Sequence, residues 1–341
     1  MSKRVKQTKR KVRIPKRTRS KVTSASKRRH KTLRRSNDVV LMHGDVLDVL
    51  ETLPIASYDL IVSSPPYNIG KTYERSARRS FKEYLEWQEK VVIALVKRIK
   101  KSGSICWQVG SHVKNGESIP LDAYFYSLFK KHGMQLRNRI VWRFNFGLNS
   151  SKRFSGRYET LLWFTKSDKY RFNLDPIRVP QLYPGKRHPK SRKNGSGRPS
   201  GNPLGKNPGD YWEFSAKHQF RDDPVWDIPN VKANHPEKTL HPCQFPIELV
   251  ERCVLAFTKK GDKILDPFVG TGTSMIAAIK HKRLGVGIDK DKSYLKLAQQ
   301  RVDRFRQGDW PAPGFEDTEL GVLMEPEVDH GETTIYARVQ A

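Results

Sequence analysis

The sequence predicts an α/β fold, in which helices pack against a twisted and mostly parallel sheet. From about residue 37 to residue 306, short apolar runs alternate with segments whose apolar residues recur at helical spacing. The run YDLIVS (58–63) is largely apolar and lacks strict alternation, which is typical of a parallel strand covered on both faces. A glycine turn, DPFVGTGT (266–273), joins a strand to a helix as in Rossmann-like folds.

The first predicted elements alternate between strand and helix. A strand at VVLMH (39–43) leads through Gly44 and Asp45 into a short helix, and YDLIVS forms the next strand. The segment FKEYLEWQEKVVIALVKRIKKSG (81–103) has helical periodicity and is expected to end at Gly103. The following predictions are a strand at 104–110, a helix at 121–133, and strands at 137–145 and 158–166.

The last part of the chain predicts one βαβ unit. FPIELVERCVLAFTKKG (245–261) is a helix that Pro246 opens and Gly261 stops. The strand at 264–266, the glycine turn, a helix, a strand ending at Asp289 and a final helix follow. No internal repeat interrupts this order.

Charge is distributed unevenly along the chain, whose net charge is +30. Residues 1–36 contain 17 Lys or Arg and no Asp or Glu, which predicts a disordered basic arm that neutralises phosphates or only keeps the protein soluble. Residues 307–341 carry eight acidic side chains against the single base Arg338, which predicts a disordered acidic tail.

A region of different composition, residues 180–236, separates the two predicted halves (37–179 and 237–306). It is rich in Pro, Gly, Asn, Lys and Arg and has little periodicity, so it is either a nucleic-acid-facing insert or a mobile loop. Aromatic residues alternate with its bases: Tyr183, Tyr211, Trp212, Phe214, Phe220 and Trp226.

Composition also excludes several protein classes. No run of about 18 apolar residues exists, and the N-terminus lacks an apolar signal segment, so we expect a soluble, cytoplasmic protein. Cys106, Cys243 and Cys253 are too few and too scattered for a disulfide framework or a CxxC metal site, and no metal is predicted.

The glycine turn predicts a nucleoside ligand without phosphates. Gly270 and Gly272 allow a tight turn that the ligand can approach closely, and Asp289 lies 23 positions after Asp266, near the offset of a ribose-binding carboxylate. A dinucleotide fingerprint would have glycine where Met275 stands, and a phosphate-binding loop would have a lysine. S-adenosyl-L-methionine is therefore the predicted cofactor.

A second motif, SPPY (64–67), follows the strand YDLIVS. Pro65 and Pro66 fix φ and donate no backbone hydrogen bond, so the strand must end here. The motif is either a plain strand-ending turn or a rigid loop that presents the Ser64 hydroxyl, backbone carbonyls and the Tyr67 ring to a ligand.

Together the two motifs resemble those of the amino-directed DNA methyltransferases, over most of residues 37–305. DPFVGTGT is similar to that family's cofactor loop, SPPY to its catalytic loop, HGD (43–45) to its cofactor-adenine segment, and HPCQFPIELVERCV (241–254) to the segment supporting the methionine end. The catalytic loop precedes the cofactor loop, which is the circularly permuted order of the β class, with residues 180–236 as the target-recognition insert. Phe245 stands where many relatives carry lysine.

The resemblance implies roles for particular residues. The methionine-side cradle would contain Asp266, Pro267, Phe268, Gly270, Gly272 and Thr273. Asp289 would contact the ribose, and Asp45 would lie near the adenine, although an isolated Asp45 also suits a helix cap. Ser64, Pro65, Pro66 and Tyr67 would hold the target base.

The resemblance also implies the reaction and the partners. Serine before PPY is more typical of cytosine-N4 enzymes, so Ser64 favours methylation of N4 of cytosine, with N6 of adenine as the alternative. The implied partners are double-stranded DNA and a cognate restriction endonuclease. The protein itself would be a monomer or a homodimer that associates with DNA. The rival readings are a non-catalytic nucleic-acid-binding protein and an RNA methyltransferase. Cys243, within PCQ, is interpreted as an ordinary residue before a helix because the cofactor loop follows it.

Overall fold

A computed structural model describes most of the region between the two charged ends of the chain. The described ranges are 39–68, 79–144, 149–181, 183–187, 201–212 and 245–308. The predicted basic arm, nearly all of the acidic tail, most of the 180–236 insert and Cys243 lie outside these residues.

A central sheet of eight strands organises the described residues. Its strands are β1 (Val39–His43), β2 (Tyr58–Ser63), β3 (Ile99–Val109), β6 (Gln135–Arg143), β7 (Tyr158–Thr165), β8 (Tyr211–Trp212), β9 (Lys263–Asp266) and β10 (Leu284–Asp289). Their order is β1-β10-β9-β2-β3-β7-β6-β8. Within the described sheet only β7 runs antiparallel to its neighbours. The predicted α/β fold with a mostly parallel sheet is confirmed.

Helices cover the sheet on both faces. The helices are α1 (Val46–Thr52), α2 (Phe81–Arg98), α3 (Leu121–Lys131), α4 (Ile247–Phe257), α5 (Thr273–Lys280) and α6 (Lys292–Arg306). Leu60 and Val62 of β2 pack in a core with residues of α4, α5 and α6, whereas Ile61 packs in the core that holds residues of α1, α2 and α3. Because successive side chains of a strand point to opposite faces, the apolar residues of β2 contribute to both cores.

Two predicted helix ends are wrong. Helix α2 ends at Arg98, five residues before Gly103, and Gly103 lies inside β3. A Cβ at Gly103 would lie 2.9 Å from the carbonyl oxygen of Asp59, beside the register shift between β2 and β3. The glycine therefore permits close approach of two strands and does not stop a helix. Similarly, α4 ends at Phe257, and Gly261 (φ +82) belongs to the turn before β9.

Some elements were not predicted. The hairpin of β4 (Ser111–Lys114) and β5 (Glu117–Pro120) follows β3. Strand β8, from the low-periodicity insert, pairs in parallel with β6, and its Trp212 is buried beneath the Arg252 guanidinium, which lies 4.4 Å from the ring centroid. Among the described helices, none combines the length and the apolar character needed to cross a membrane.

Candidate active site

A cavity lies at the carboxyl ends of the parallel strands, where loops after β1, β2, β9 and β10 converge. Ligands of open α/β sheets bind at this edge because the loops that leave successive strands diverge there. The predicted site residues that line the cavity are Asp45, Ser64, Pro65, Pro66, Tyr67, Pro267, Phe268, Gly270, Thr273 and Asp289. The two motifs, about 200 residues apart in sequence, therefore meet in one cavity.

Asp266, although predicted as a cradle residue, lies behind the cavity wall. Its carboxylate accepts hydrogen bonds from the Ser63 hydroxyl (2.5 Å), the Ser274 hydroxyl (2.5 Å) and the Phe268 backbone amide (3.0 Å). Burial raises the pKa of Asp266 to about 6, against the opposite effect of these three donors. Asp266 thereby ties the residue before Ser64 to the glycine turn.

The two glycines of the turn are required for different reasons. Gly270 has φ +48, and its amide donates to Asp289 Oδ2 at 3.0 Å. Gly272 caps the N-terminus of α5 with φ +83, and a Cβ there would lie 2.9 Å from Ala298 Cβ of α6. Gly270 lines the cavity, whereas Gly272 lies away from it and allows the two helices to pack closely.

Asp289 is a carboxylate of fixed orientation at the end of β10. Its Oδ1 accepts from the Asp291 amide at 2.8 Å, while Oδ2 accepts from Gly270. Burial is the main cause that raises its pKa, and the backbone hydrogen bonds oppose it. Each oxygen retains acceptor capacity beyond these bonds, which suits the paired hydroxyls of a ribose.

Asp45 caps a helix and also lines the cavity. Its side chain caps α1 by accepting from the Leu47 amide at 2.9 Å, and it also lines the cavity. The preceding Gly44 donates its amide to the backbone carbonyl of Asp289 at 3.1 Å. The end of β1 is therefore joined to the end of β10, which places the carboxylates of both strand ends in the same cavity wall.

Hydrogen bonds hold the SPPY loop. The Ser64 and Tyr67 hydroxyls lie 3.0 Å apart, and the Tyr84 hydroxyl donates to the Pro66 carbonyl at 2.9 Å. Asn68 then adopts a left-handed conformation (φ +56), which asparagine tolerates better than most residues. Its side-chain amide donates to the Arg79 carbonyl at 3.0 Å. The hydroxyls of Ser64 and Tyr67 and the carbonyl of Pro66 are thus held in place by hydrogen bonds.

Sequence reasoning missed the aromatic wall that α2 contributes. Trp87 lines the cavity and its ring centroid lies 5.9 Å from that of Phe268, while the Arg79 guanidinium carbon lies 4.6 Å from the Trp87 centroid. Tyr84 lines the cavity as well. Tyr84 and Trp87 both fit the periodicity of an ordinary core face of a helix. Only the packing of α2 beside the glycine turn distinguishes them from core residues. Phe245 also lines the cavity.

Comparison with known proteins identifies the family. A family model described as DNA methylase (N6_N4_Mtase) matches residues 58–300, which include both motifs. The chain belongs to this N6/N4 DNA methylase family. The Type II methyltransferase M.BglII of Bacillus subtilis is 45% identical over 261 residues, covering 76% of this chain and 68% of that protein. The DNA adenine methyltransferase YhdJ of Escherichia coli (strain K12) is 32% identical over 268 residues, covering 77% and 82%.

A solved structure agrees with the fold of this DNA methylase. The protein TTHA0409 of Thermus thermophilus, solved in complex with S-adenosyl-L-methionine, is 25% identical and superposes with a TM-score of 0.53, covering 82% of this chain and 97% of that one. The predicted methyltransferase fold and the predicted cofactor, S-adenosyl-L-methionine, are confirmed by the family and by this likeness.

The cavity of the DNA methylase suits this cofactor chemically. Asp289 offers carboxylate acceptors, Gly270 allows close approach of the backbone, and Pro267, Phe268 and Ile288 add apolar surface. The turn between β9 and α5 contains no lysine that would bind a phosphate. The residues present therefore fit a nucleoside without phosphates.

Proposed function

We propose that this DNA methylase transfers a methyl group to the exocyclic N4 amine of cytosine at specific sites in double-stranded DNA. The observation that carries the proposal is the position of Ser64, whose side chain lines the same cavity as the glycine turn and Asp289. A hydrogen-bond acceptor for an amine thus lies beside the place where a nucleoside cofactor would bind. Serine at this position is more typical of cytosine-N4 enzymes.

The chemistry required of the SPPY loop is activation of a weak nucleophile. The lone pair of an exocyclic amine is delocalised into the base, and the nitrogen becomes positively charged as it attacks. The Ser64 hydroxyl and the Pro65 carbonyl would accept hydrogen bonds from the two N–H groups of the amine and stabilise that charge. When bound, S-adenosyl-L-methionine supplies the electrophilic methyl group. Because Pro65 and Pro66 restrict the backbone, these acceptors need little reorganisation during transfer.

Tyr67 would position the target base. The amine is inaccessible inside a duplex, so the base must be flipped into the cavity. Tyr67 lines the cavity although only 8% of its surface is exposed, which makes its ring a fixed wall against which a base can stack.

The cofactor would be held mainly from the opposite wall. We assign Asp289 to the ribose hydroxyls, Asp45 to the adenine side, and Phe268 and Thr273 to the methionine side, since all four line the cavity. Asp266 and Gly272 would act indirectly, by shaping the glycine turn through the hydrogen bonds and the helix packing described above.

The remaining predictions concern partners. Residues 1–36 are proposed to strengthen binding to DNA phosphates, and residues 180–236 to read the target site. Relatives named as Type II methyltransferases support a restriction endonuclease as a partner. Monomer or homodimer, and a cytoplasmic location on DNA, stay predictions.

Methylation of N6 of adenine is the second candidate. It is favoured by the relationship to YhdJ, which is named as a DNA adenine methyltransferase. The chemistry of the Ser64 hydroxyl does not by itself reject adenine, because both amines offer two N–H donors to the same acceptors.

A single experiment distinguishes the two bases. Purified protein is incubated with isotope-labelled S-adenosyl-L-methionine and unmethylated genomic DNA, and the nucleosides are analysed by mass spectrometry. Label in 4-methylcytosine is expected. Label only in N6-methyladenine would transfer the proposal to the second candidate, and no label in DNA would refute both. The double variant S64A/Y67A, prepared identically, controls for contaminating host methyltransferases.

A further inference from the structure

A row of hydrogen-bonding side chains extends from the cavity into the wall behind the SPPY loop. Ser64 Oγ lies 3.0 Å from the Tyr67 hydroxyl, which donates to Glu159 Oε2 at 3.5 Å. Gln108 Nε2 donates to the same Glu159 oxygen. Neither Glu159 nor Gln108 lines the cavity, and the sequence motifs include neither.

Strand pairing and a glycine leave room for Glu159 and Tyr67 to lie side by side. Glu159 lies at the start of β7, and Gln108 at the end of β3, two strands that pair directly. A Cβ at Gly110 would lie 3.1 Å from Glu159 Oε1 and 3.3 Å from Tyr67 Cε2. The absence of a side chain at Gly110 thus leaves room for both groups to approach each other.

The chemical types of these groups fix the direction of the hydrogen bonds. The Tyr67 hydroxyl and the Gln108 amide nitrogen both donate to Glu159 Oε2, so the hydrogen of the Tyr67 hydroxyl points toward Glu159. The Tyr67 oxygen must then accept the hydrogen of Ser64. Since a serine hydroxyl carries one hydrogen, the remaining lone pairs of Ser64 Oγ are left for an acceptor role in the cavity.

We propose that Glu159 is a positioning residue that keeps the Ser64 hydroxyl oriented as an acceptor for the target amine. This inference rests on the proposed function, in which an exocyclic amine presents its N–H groups to Ser64, and it holds for cytosine and adenine alike. Without Glu159, the Tyr67 hydroxyl can turn and donate to Ser64. The Ser64 hydrogen would then face the N–H donors of the amine, which removes an attractive contact and adds a repulsive one.

A double-mutant cycle between Glu159 and Tyr67 tests the proposal. We expect Glu159→Ala to lower kcat on saturating DNA by about tenfold to a hundredfold, no more than the loss of a direct contact to the reacting group. Tyr67→Phe, which keeps the ring, should lower kcat similarly. Because Glu159 acts through the Tyr67 hydroxyl, the double variant should be no slower than Tyr67→Phe alone.

The conservative variant and the binding measurement separate positioning from a structural role. Glu159→Gln should lose less activity than Glu159→Ala. The Gln108 amide would still donate to the side-chain oxygen of the new glutamine, and that oxygen could also accept the hydrogen bond from the Tyr67 hydroxyl. The Kd for S-adenosyl-L-methionine, measured by calorimetry, should stay within about twofold in Glu159→Ala and Glu159→Gln, because Glu159 lies outside the cavity wall. Glu117→Ala, on the exposed hairpin strand β5, is the matched control for loss of an acidic side chain.

Several outcomes would overturn the proposal. Multiplicative losses in the double variant would show that Glu159 does not act through Tyr67, and a large loss of cofactor affinity in Glu159→Ala would show a structural role. If the wild-type protein methylates DNA, either result with the variants overturns this inference alone and leaves the proposed function intact. Absence of any methyl transfer by the wild type would overturn the proposed function and this inference with it.

Discussion

Replacement of Asp266 by asparagine tests whether the buried charge that connects the two motifs destabilises the folded protein. Asp266 is 1% exposed, and its carboxylate accepts three hydrogen bonds from Ser63, Ser274 and Phe268. An asparagine can keep these contacts, with its oxygen accepting from Ser63 and Phe268 and its nitrogen donating to the Ser274 hydroxyl. The substitution therefore removes the charge while the hydrogen-bond network survives.

The magnitude follows from the pKa of Asp266, which burial raises from 3.8 to about 6. A difference of roughly two pKa units corresponds to about 3 kcal/mol. Because the folded state holds the proton more tightly, this stabilisation is fully present below pH 3.8 and is lost as the pH rises through 6. Between pH 4 and pH 7 the wild type should lose about 2 kcal/mol that Asp266→Asn does not lose.

The assay is urea unfolding followed by tryptophan fluorescence at several pH values from 4 to 7, on wild type and Asp266→Asn. The free energy of unfolding of the variant, minus that of the wild type, should rise by about 2 kcal/mol over this range. A difference that stays flat would refute the reasoning. Asp48→Asn removes an exposed carboxylate of α1 as a control, and an equal rise there would assign the effect to net charge.

Three further predictions concern the turn, the catalytic loop and the basic arm. Gly272→Ala should lower the unfolding free energy by about 2–4 kcal/mol, because it adds left-handed strain and overlap with Ala298. The control is Gly133→Ala in the same unfolding assay, since Gly133 has φ +80 and open space around its Cβ. An equal loss in both variants would exclude overlap with Ala298 as a cause. Ser64→Ala should slow methyl transfer by about a hundredfold while the Kd of the cofactor is kept, with the exposed Ser118→Ala as its control; a large loss of cofactor affinity would contradict the assigned role. Deleting residues 1–36 should weaken DNA binding and flatten its salt dependence in filter-binding titrations, and an unchanged salt slope would exclude the arm from phosphate contacts.

Much of the fold could be predicted from local patterns. A run of apolar residues marks β2 because both faces of this strand are covered, and the turn between β9 and α5 has its glycines where the backbone needs them. The errors at Gly103 and Gly261 arose because a glycine after a helical pattern suggests a stop. Whether it serves a helix end, a close strand approach or a later turn depends on a partner segment that the local sequence does not show.

The candidate site was predicted in part, for a related reason. Ser64, Tyr67 and Asp289 belong to motifs whose residue types already indicate chemistry, and the structure brings them to one cavity. Trp87 and Glu159 stand in segments that resemble an ordinary helix face and an ordinary strand. Their proximity to the site depends on how α2 and β7 are placed, which no spacing within those segments encodes.

The sequence by itself thus determined the alternation of strands and helices, the two motifs and their order, since these depend on periodicity and on backbone restrictions at proline and glycine. The tertiary structure decided which of the motif residues face the cavity. Asp266 and Gly272 belong to the motif but lie behind the wall. Asp266 is held there by hydrogen bonds from Ser63 and Ser274, and Gly272 lies at the N-terminus of α5 against Ala298. The tertiary structure also decided that Glu159 lies beside Tyr67. The pairing of β3 with β7 brings Glu159 to Gln108, which is 51 positions away in the sequence, at the end of the sheet where Tyr67 lies.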